Sequence, residues 1–234
     1  MALPSTTRAA PEFVELVGQY RPTSSADRMA ARSVCPVARV TPSNDASDEE
    51  TRSAGRFSAW LGEFEGAMRG EHDADVPCDG CTACCRSFQF VHIEPDEVDT
   101  LAHIPSKFLF PAPKLPIGHV LMGYDAQGCC PMLVDDACTI YAHRPRTCRT
   151  YDCRIFPATG VELEGGEYVE ITRRTRTWRF EFADDVDHAA YDAVRAAAEF
   201  VGEVESEHEN ASAPTHPIRR AVLALETYRT FLDQ

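Results

Sequence analysis

Positive charge is scarce in this 234-residue sequence: 23 Lys and Arg stand against 37 Asp and Glu, for a formal net charge of -14. Phosphate backbones and anionic lipid surfaces are held by positive surfaces, so neither nucleic acid nor an anionic membrane is an expected partner. Long apolar runs are missing as well. Charge, proline or glycine interrupts every one before the roughly 18 to 20 residues that a membrane-spanning helix requires. The opening MALPSTTRAAPEFVELVGQY has no apolar run behind a basic start, so no secretory leader is expected and the cytoplasm is the expected location. G-x-S-x-G, P-loop, H-E-x-x-H and G-x-G-x-x-G arrangements are all absent, which leaves hydrolase, nucleotide and dinucleotide readings without support.

What the chain has in quantity is cysteine, ten in all, nine of them between residues 78 and 153. Thiols crowded at short, fixed spacings in a reducing compartment hold metal more often than they form disulfides. Residues 77 to 153 also hold eight of the 16 prolines, which suits loops wrapped around a site better than long regular elements.

The first cluster reads Cys78-Asp79-Gly80-Cys81-Thr82-Ala83-Cys84-Cys85. A two-residue gap lets two thiolates turn toward one centre, and Gly80 permits the tight backbone this needs. Side chains on adjacent residues diverge, so Cys84 and Cys85 are expected to serve different sites, or one of them to stand behind the other. The second cluster contains Cys129-Cys130-Pro131-Met132-Leu133, Cys138, Cys148 and Cys153. Setting aside the isolated Cys35 and one of the pair Cys129 and Cys130 leaves eight thiols, enough for two four-ligand centres or one shared polynuclear site.

Iron-sulfur clusters and zinc both take thiolates, and softness does not separate them. Cys78-x-x-Cys81-x-x-Cys84 with a remote fourth cysteine resembles a [4Fe-4S] run, whereas the paired C-x-x-C knuckles that suit zinc are absent from the second cluster. Spacing thus favours an iron-sulfur cluster, with zinc as the alternative. Four thiolates around either centre leave net negative charge; Arg86, Arg144, Arg149 and Arg154 adjoin the cysteines and are candidates to compensate it. Tyr141 and Tyr151 are candidates to shield the site, while packing accounts for them equally well. His92, His103, His119 and His143 are ligands only in principle, given so many thiols.

These residues resemble the YkgJ-type cysteine cluster family, also described as a zinc- or iron-chelating domain, over roughly residues 75 to 155. Its C-x-x-C-x-x-C-C hallmark is matched by Cys78, Cys81, Cys84 and Cys85; its Cys-Pro-aromatic-Leu step by Cys130 to Leu133, with Met132 in the aromatic place. Its Cys-x-Ile-Tyr, Arg-Pro, Cys-Arg, Tyr, Cys series is matched by Cys138, Ile140, Tyr141, Arg144, Pro145, Cys148, Arg149, Tyr151 and Cys153. The resemblance implies metal chelation by Cys78, Cys81, Cys84, Cys85, Cys130, Cys138, Cys148 and Cys153. It includes Arg144 and Arg149 in the motif, where contact with the cofactor is their implied role. Some members are labelled iron-sulfur oxidoreductases, and longer relatives methylate flagellin lysines. No adenosylmethionine loop is recognisable here, so an iron-sulfur redox protein, a zinc-held interaction module and a methyltransferase relative stand in that order.

The expected fold class is α+β: an irregular cysteine-rich centre, a small antiparallel sheet and flanking helices. Residues 1–55 read as a loosely packed arm, with a short helix after Pro11 carrying Phe13, Val14 and Val17; residues 56–234 read as one domain with its metal-binding core at 75–155. Phe57, Trp60, Leu61, Phe64 and Met68 recur at helical spacing, with Gly70 as a stop. A helix is expected over 94–101. Gly165-Gly166 predicts a hairpin turn, followed by a strand with Trp178, Phe180 and Phe182 alternating. Val186, Ala190, Ala193, Val194, Ala197, Phe200, Val201 and Val204 predict one helical face, and Ile218, Ala221, Val222, Leu225, Tyr228 and Leu232 another. Arg173, Arg174, Arg176 and Arg179 form the one dense basic patch; a solvated strand face accounts for it, and a docking surface for an acidic partner or an anionic ligand is the sharper reading.

Overall fold

The computed structural model describes residues 51–207, apart from 79 and 126, and residues 216–232. The helix expected after Pro11 and the isolated Cys35 lie outside the described residues. Strand β1 (Arg52–Arg56) runs directly into helix α1 (Phe57–Met68). The cysteine-rich stretch follows, with β2 (Val91–Ile93), α2 (Val98–His103), β3 (Leu109–Pro111), β4 (Val120–Met122), β5 (Leu133–Val134), β6 (Ala137–Cys138) and α3 (Arg146–Thr150). The chain closes with α4 (Ile155–Thr159), α5 (Val169–Thr177), β7 (Trp178–Glu181), α6 (Asp185–Glu207) and α7 (Pro217–Thr227).

Helix α1 has the predicted bounds because its apolar residues share one face: Phe57, Trp60, Leu61 and Phe64 are all buried. Gly70, with φ of +74°, takes the left-handed turn that ends it, and its N–H donates to the Ala67 carbonyl at 3.0 Å. That face packs on Ala193, Val194 and Ala197 of α6, on Ile155 and Phe156 of α4, and with Ala221, Ala224 and Leu225 of α7 it forms one large apolar core. Alanine dominates where α6 meets its neighbours, which lets the backbones approach closely.

Asp187 ties two of these helices together. Fully buried, it accepts the N–H of Ser58 at 3.0 Å and of Ala183 at 2.8 Å, and pairs with Arg56 at 3.1 Å. These bonds, led by that of the Ser58 hydroxyl and the Ala183 N–H, hold its carboxyl down at about 2.

The α+β class stands, but the antiparallel sheet is drawn from other segments than expected. It has three strands in the order β2-β4-β3, pairing His92 with Leu121 and Phe110 with Leu121. A smaller core of Ile93, Ile104, Met122, Met132 and Ile140 lies against it.

The expected C-terminal hairpin at Gly165-Gly166 is absent. Gly166–Tyr168 is a 3-10 turn, and the basic segment beyond it is helix α5. Tyr168, Ile171, Thr175 and Trp178 are buried, with Thr177 beside the last of them, and the spacing of three, four and three suits a helix. Only Trp178–Glu181 is extended. It pairs in parallel with β1, Arg52 opposite Trp178 and Arg56 opposite Glu181, so residues 52–55 of the expected arm belong to the folded body.

Two helix readings also shift. α2 starts at Val98, because Pro95 and Glu97 form the preceding turn and the buried Glu97 carboxylate instead accepts the N–H groups of Glu94 at 3.0 Å and Arg146 at 2.6 Å. On α6 the expected face holds through Ala190, Ala193, Val194, Ala197 and Val201, but Val186, Phe200 and Val204 are exposed. At 23 residues against 11, α6 outruns α7 and leaves its ends uncovered.

Candidate metal centre

The first cysteine cluster is shaped by its own backbone. Gly80, with φ of +76°, makes the turn that lets the Cys81 N–H donate to the Cys78 carbonyl at 2.9 Å. Ala83–Arg86 is a 3-10 turn, stapled by the Ser87 hydroxyl on the Ala83 carbonyl at 2.7 Å. The second cluster is laid beside it: the Cys130 N–H donates to the Cys85 carbonyl at 2.8 Å, and the Phe88 N–H to Gly128 at 3.2 Å. Cys138 lies opposite Leu133 in the β5–β6 ladder, Cys148 sits in α3, and Cys153 stands just ahead of α4.

Free thiols stand at Cys78, Cys81, Cys84, Cys85, Cys130, Cys138, Cys148 and Cys153. Cys129 is not among them and is buried at 6% exposure, so within the adjacent pair Cys130 is the thiol open to a ligand role. The array has a middle. Cys85 bonds to Cys84 on one side and to Cys130 on the other. A 3-10 turn rotates neighbours by about 120°, and the large sulfur of Cys85 spans the gap. Cys84 is also electrostatically coupled to Cys78, Cys138, Cys148 and Cys153.

Acidities follow from this arrangement. The bonds to Cys130 and Cys84 drive the Cys85 thiol far up and make it the proton donor; the same bonds lower its partners, Cys130 to about 7 with help from the N–H groups of Met132 and Leu133. Burial, reinforced by Cys84 and Cys81, pushes Cys78 up to about 11, and burial pushes Cys153 up to about 12. Cys138 moves up for the same reason. Binding a metal requires these thiols to lose their protons, so capture of a cation and proton release go together.

The arginines divide. Arg144 stacks over the Tyr141 ring at 4.1 Å, donates to the Tyr141 carbonyl at 2.8 Å, and its charge eases ionisation of Cys138 and Cys148. Arg149 faces Asp73 at 3.0 Å. Arg86 pairs with Asp136, and Arg154 is buried against Asp152 at 2.8 Å while holding the carbonyls of Ala54 and Asp75. Asp152 in turn accepts the Trp60 indole N–H at 2.8 Å, which anchors the Cys153 loop in the large core.

Two contributors escaped the sequence reading. Trp178 donates its indole N–H to the Cys153 sulfur at 3.3 Å. Arg174 stacks on Trp178 at 4.6 Å, donates to the carbonyls of Pro77 and Cys78 at 3.1 and 3.2 Å, and its charge favours the Cys78 thiolate. Reading this segment as a solvated strand hid both; the 168-171-175-178 stripe was the available signal.

Tyr151 tests whether the site suits a metal-sulfur centre. Its hydroxyl is buried and without a hydrogen-bond partner, and the groups acting on it include Cys153 and Cys84. An orphaned donor beside thiols fits a centre that carries negative charge on sulfur. Tyr141, by contrast, is 62% exposed and shields little. His92 and His119 bond to each other at 2.9 Å, apart from the thiols.

No helix among the described residues is long and apolar enough to cross a membrane. No curated protein and no solved structure matches the chain. Residues 77–163, which span the whole thiol array, match the model of the CxxCxxCC family, described as a "putative zinc- or iron-chelating domain". That stretch is thus similar to the CxxCxxCC family, whose description names zinc or iron as the metal chelated.

Proposed function

We propose that Cys78, Cys81, Cys84, Cys85, Cys130, Cys138, Cys148 and Cys153 hold one polynuclear iron-sulfur centre, and that the protein works in electron transfer or as a redox component. The observation that carries this reading is the bond from the Cys130 N–H to the Cys85 carbonyl at 2.8 Å, which lays the second cysteine cluster against the first. Two separate zinc sites would instead divide the thiols into closed groups of four. Spacing supports the same reading. A single tetrahedral zinc holds its sulfurs about 3.8 Å apart at bonds of about 2.3 Å, yet among the described residues no three cysteine sulfurs lie within 4.8 Å of one another.

When bound, such a cluster exchanges single electrons at a potential set by its surroundings. The protein's part is to bind and tune. Trp178 directs an N–H donor at the Cys153 sulfur, and Arg144 and Arg174 place positive charge beside the thiols. Both effects favour the more negative, reduced state.

Zinc is the second reading, favoured by the slight apolar core around the thiols, which a structural metal would reinforce. Iron, acid-labile sulfide and zinc per chain, measured after purification without air, separate the two. Iron and sulfide in near-equal amounts, with a broad visible band that a reductant bleaches, support the redox reading. Stoichiometric zinc and no visible band overturn it.

A further inference from the structure

We propose a second metal site, built from Asp99, His103 and His143, that binds one exchangeable divalent cation of the zinc, cobalt and nickel class without any thiolate. One ligand atom of each of these residues lies within 4.8 Å of the other two, the only such trio among the described residues.

The local folds bring the three together. Asp99 and His103 stand four apart on α2, so they share a face. His143 comes from the 3-10 turn Tyr141–His143, whose closing bond runs from the His143 N–H to the Ile140 carbonyl at 2.8 Å. The imidazoles of His103 and His143 stack face to face, centroids 3.6 Å apart and planes 6° from parallel. The His143 Nδ1 lies 2.6 Å from the Asp99 carboxylate, and the His103 Nδ1 2.8 Å from the Asp99 carbonyl. A cation entering here takes the place of the proton that His143 shares with Asp99.

Two imidazoles and a carboxylate suit borderline divalent ions, and three protein ligands leave a position open to water or to a passing ligand. All three side chains are accessible, Asp99 at 71%, His103 at 41% and His143 at 38%, so exchange with solvent is unhindered. His143 lies midway between Cys138 and Cys148 in the sequence. A metal at this site therefore pins α2 to the very segment that supplies two thiols, without depending on what the thiols hold.

Tag-free, full-length protein, with its thiol-bound metal in place, is titrated with cobalt(II) and followed by absorption and by the paramagnetically shifted histidine ring signals. The expected result is one saturable equivalent with weak ligand-field bands, no sulfur-to-cobalt charge-transfer band, and two shifted imidazoles. His143→Ala and His103→Ala each weaken that binding at least about tenfold, since loss of a direct ligand exceeds the effect of an outer partner. Thiol-bound metal and overall fold stay unchanged in both variants. No saturable equivalent, an equivalent that carries the thiolate band, or undiminished binding in the variants overturns the proposal. Because thiol-bound metal is counted separately, these outcomes stand apart from the fate of the iron-sulfur reading.

Discussion

The helical body and the cysteine-rich region are stabilised in different ways. The body buries Phe57, Trp60, Leu61, Phe64, Val194 and Leu225 in one continuous core fed by α1, α4, α6 and α7. The stretch from 78 to 153 has strands of two or three residues and a core of five apolar side chains. A body of the first kind folds on area alone, at roughly 25 cal/mol for each Å² removed from water. One of the second kind needs a cross-link, and its free thiols are in place to supply it through metal. Asp152, Arg154 and Trp60 join the two regions, so the soft part is docked on the firm one.

Metal removal should produce the largest effect and break the comparison most openly. A strong chelator is expected to abolish hydrogen-exchange protection across residues 78–153 while α1, α6 and α7 keep theirs. Loss of protection in both regions together would show that they do not differ in this way.

Apolar truncation sharpens the contrast from the other side. Phe57→Ala should destabilise the body by about 3–5 kcal/mol in urea unfolding followed by helical circular dichroism. Metal content per chain should stay at the wild-type level. Met132→Ala in the small core should cost about 2 kcal/mol, the low end for such a change, because metal ligation carries that region.

A smaller effect is expected where α7 begins. His216 accepts the Ile218 N–H at 3.3 Å as the helix cap and bonds to the Tyr168 hydroxyl at 3.0 Å. Burial lowers its pKa below the usual 6.5. The folded state thus takes up a proton less readily than the unfolded one, so the contribution of His216 is present in full above pH 6.5 and is lost as pH falls through the folded value. His216→Ala should remove about 1 kcal/mol at neutral pH, and the difference from wild type should shrink on acidification.

The finest test of the junction is Trp178→Phe. It keeps an aromatic ring in the core and deletes the N–H donated to Cys153. Stability should change by less than about 1 kcal/mol, within the usual value of one hydrogen bond. The reduction potential of the bound centre should fall, because a donor that favours the reduced state is gone.

The two regions also differed in how far they could be read in advance. α1, α6 and α7 show in the sequence because an amphipathic helix records its period locally, as Phe57, Trp60, Leu61 and Phe64 do. The cysteine motif shows because ligand spacing is local too. What did not show depends on distant partners. β7 is extended because β1, more than a hundred residues earlier, runs parallel to it. Gly165-Gly166 resembles a hairpin turn until the buried stripe from Tyr168 to Trp178 is traced. Trp178 and Arg174 reach the thiols only through that helix, which is why neither was among the candidate residues.

X-ray absorption at the metal edge of protein purified without air tests the central claim most directly. One shared polynuclear centre predicts a first shell of sulfur alone and a second shell of neighbouring metal atoms. A single sulfur shell with no metal neighbour, or a first shell containing nitrogen or oxygen at the thiol-bound metal, would contradict it.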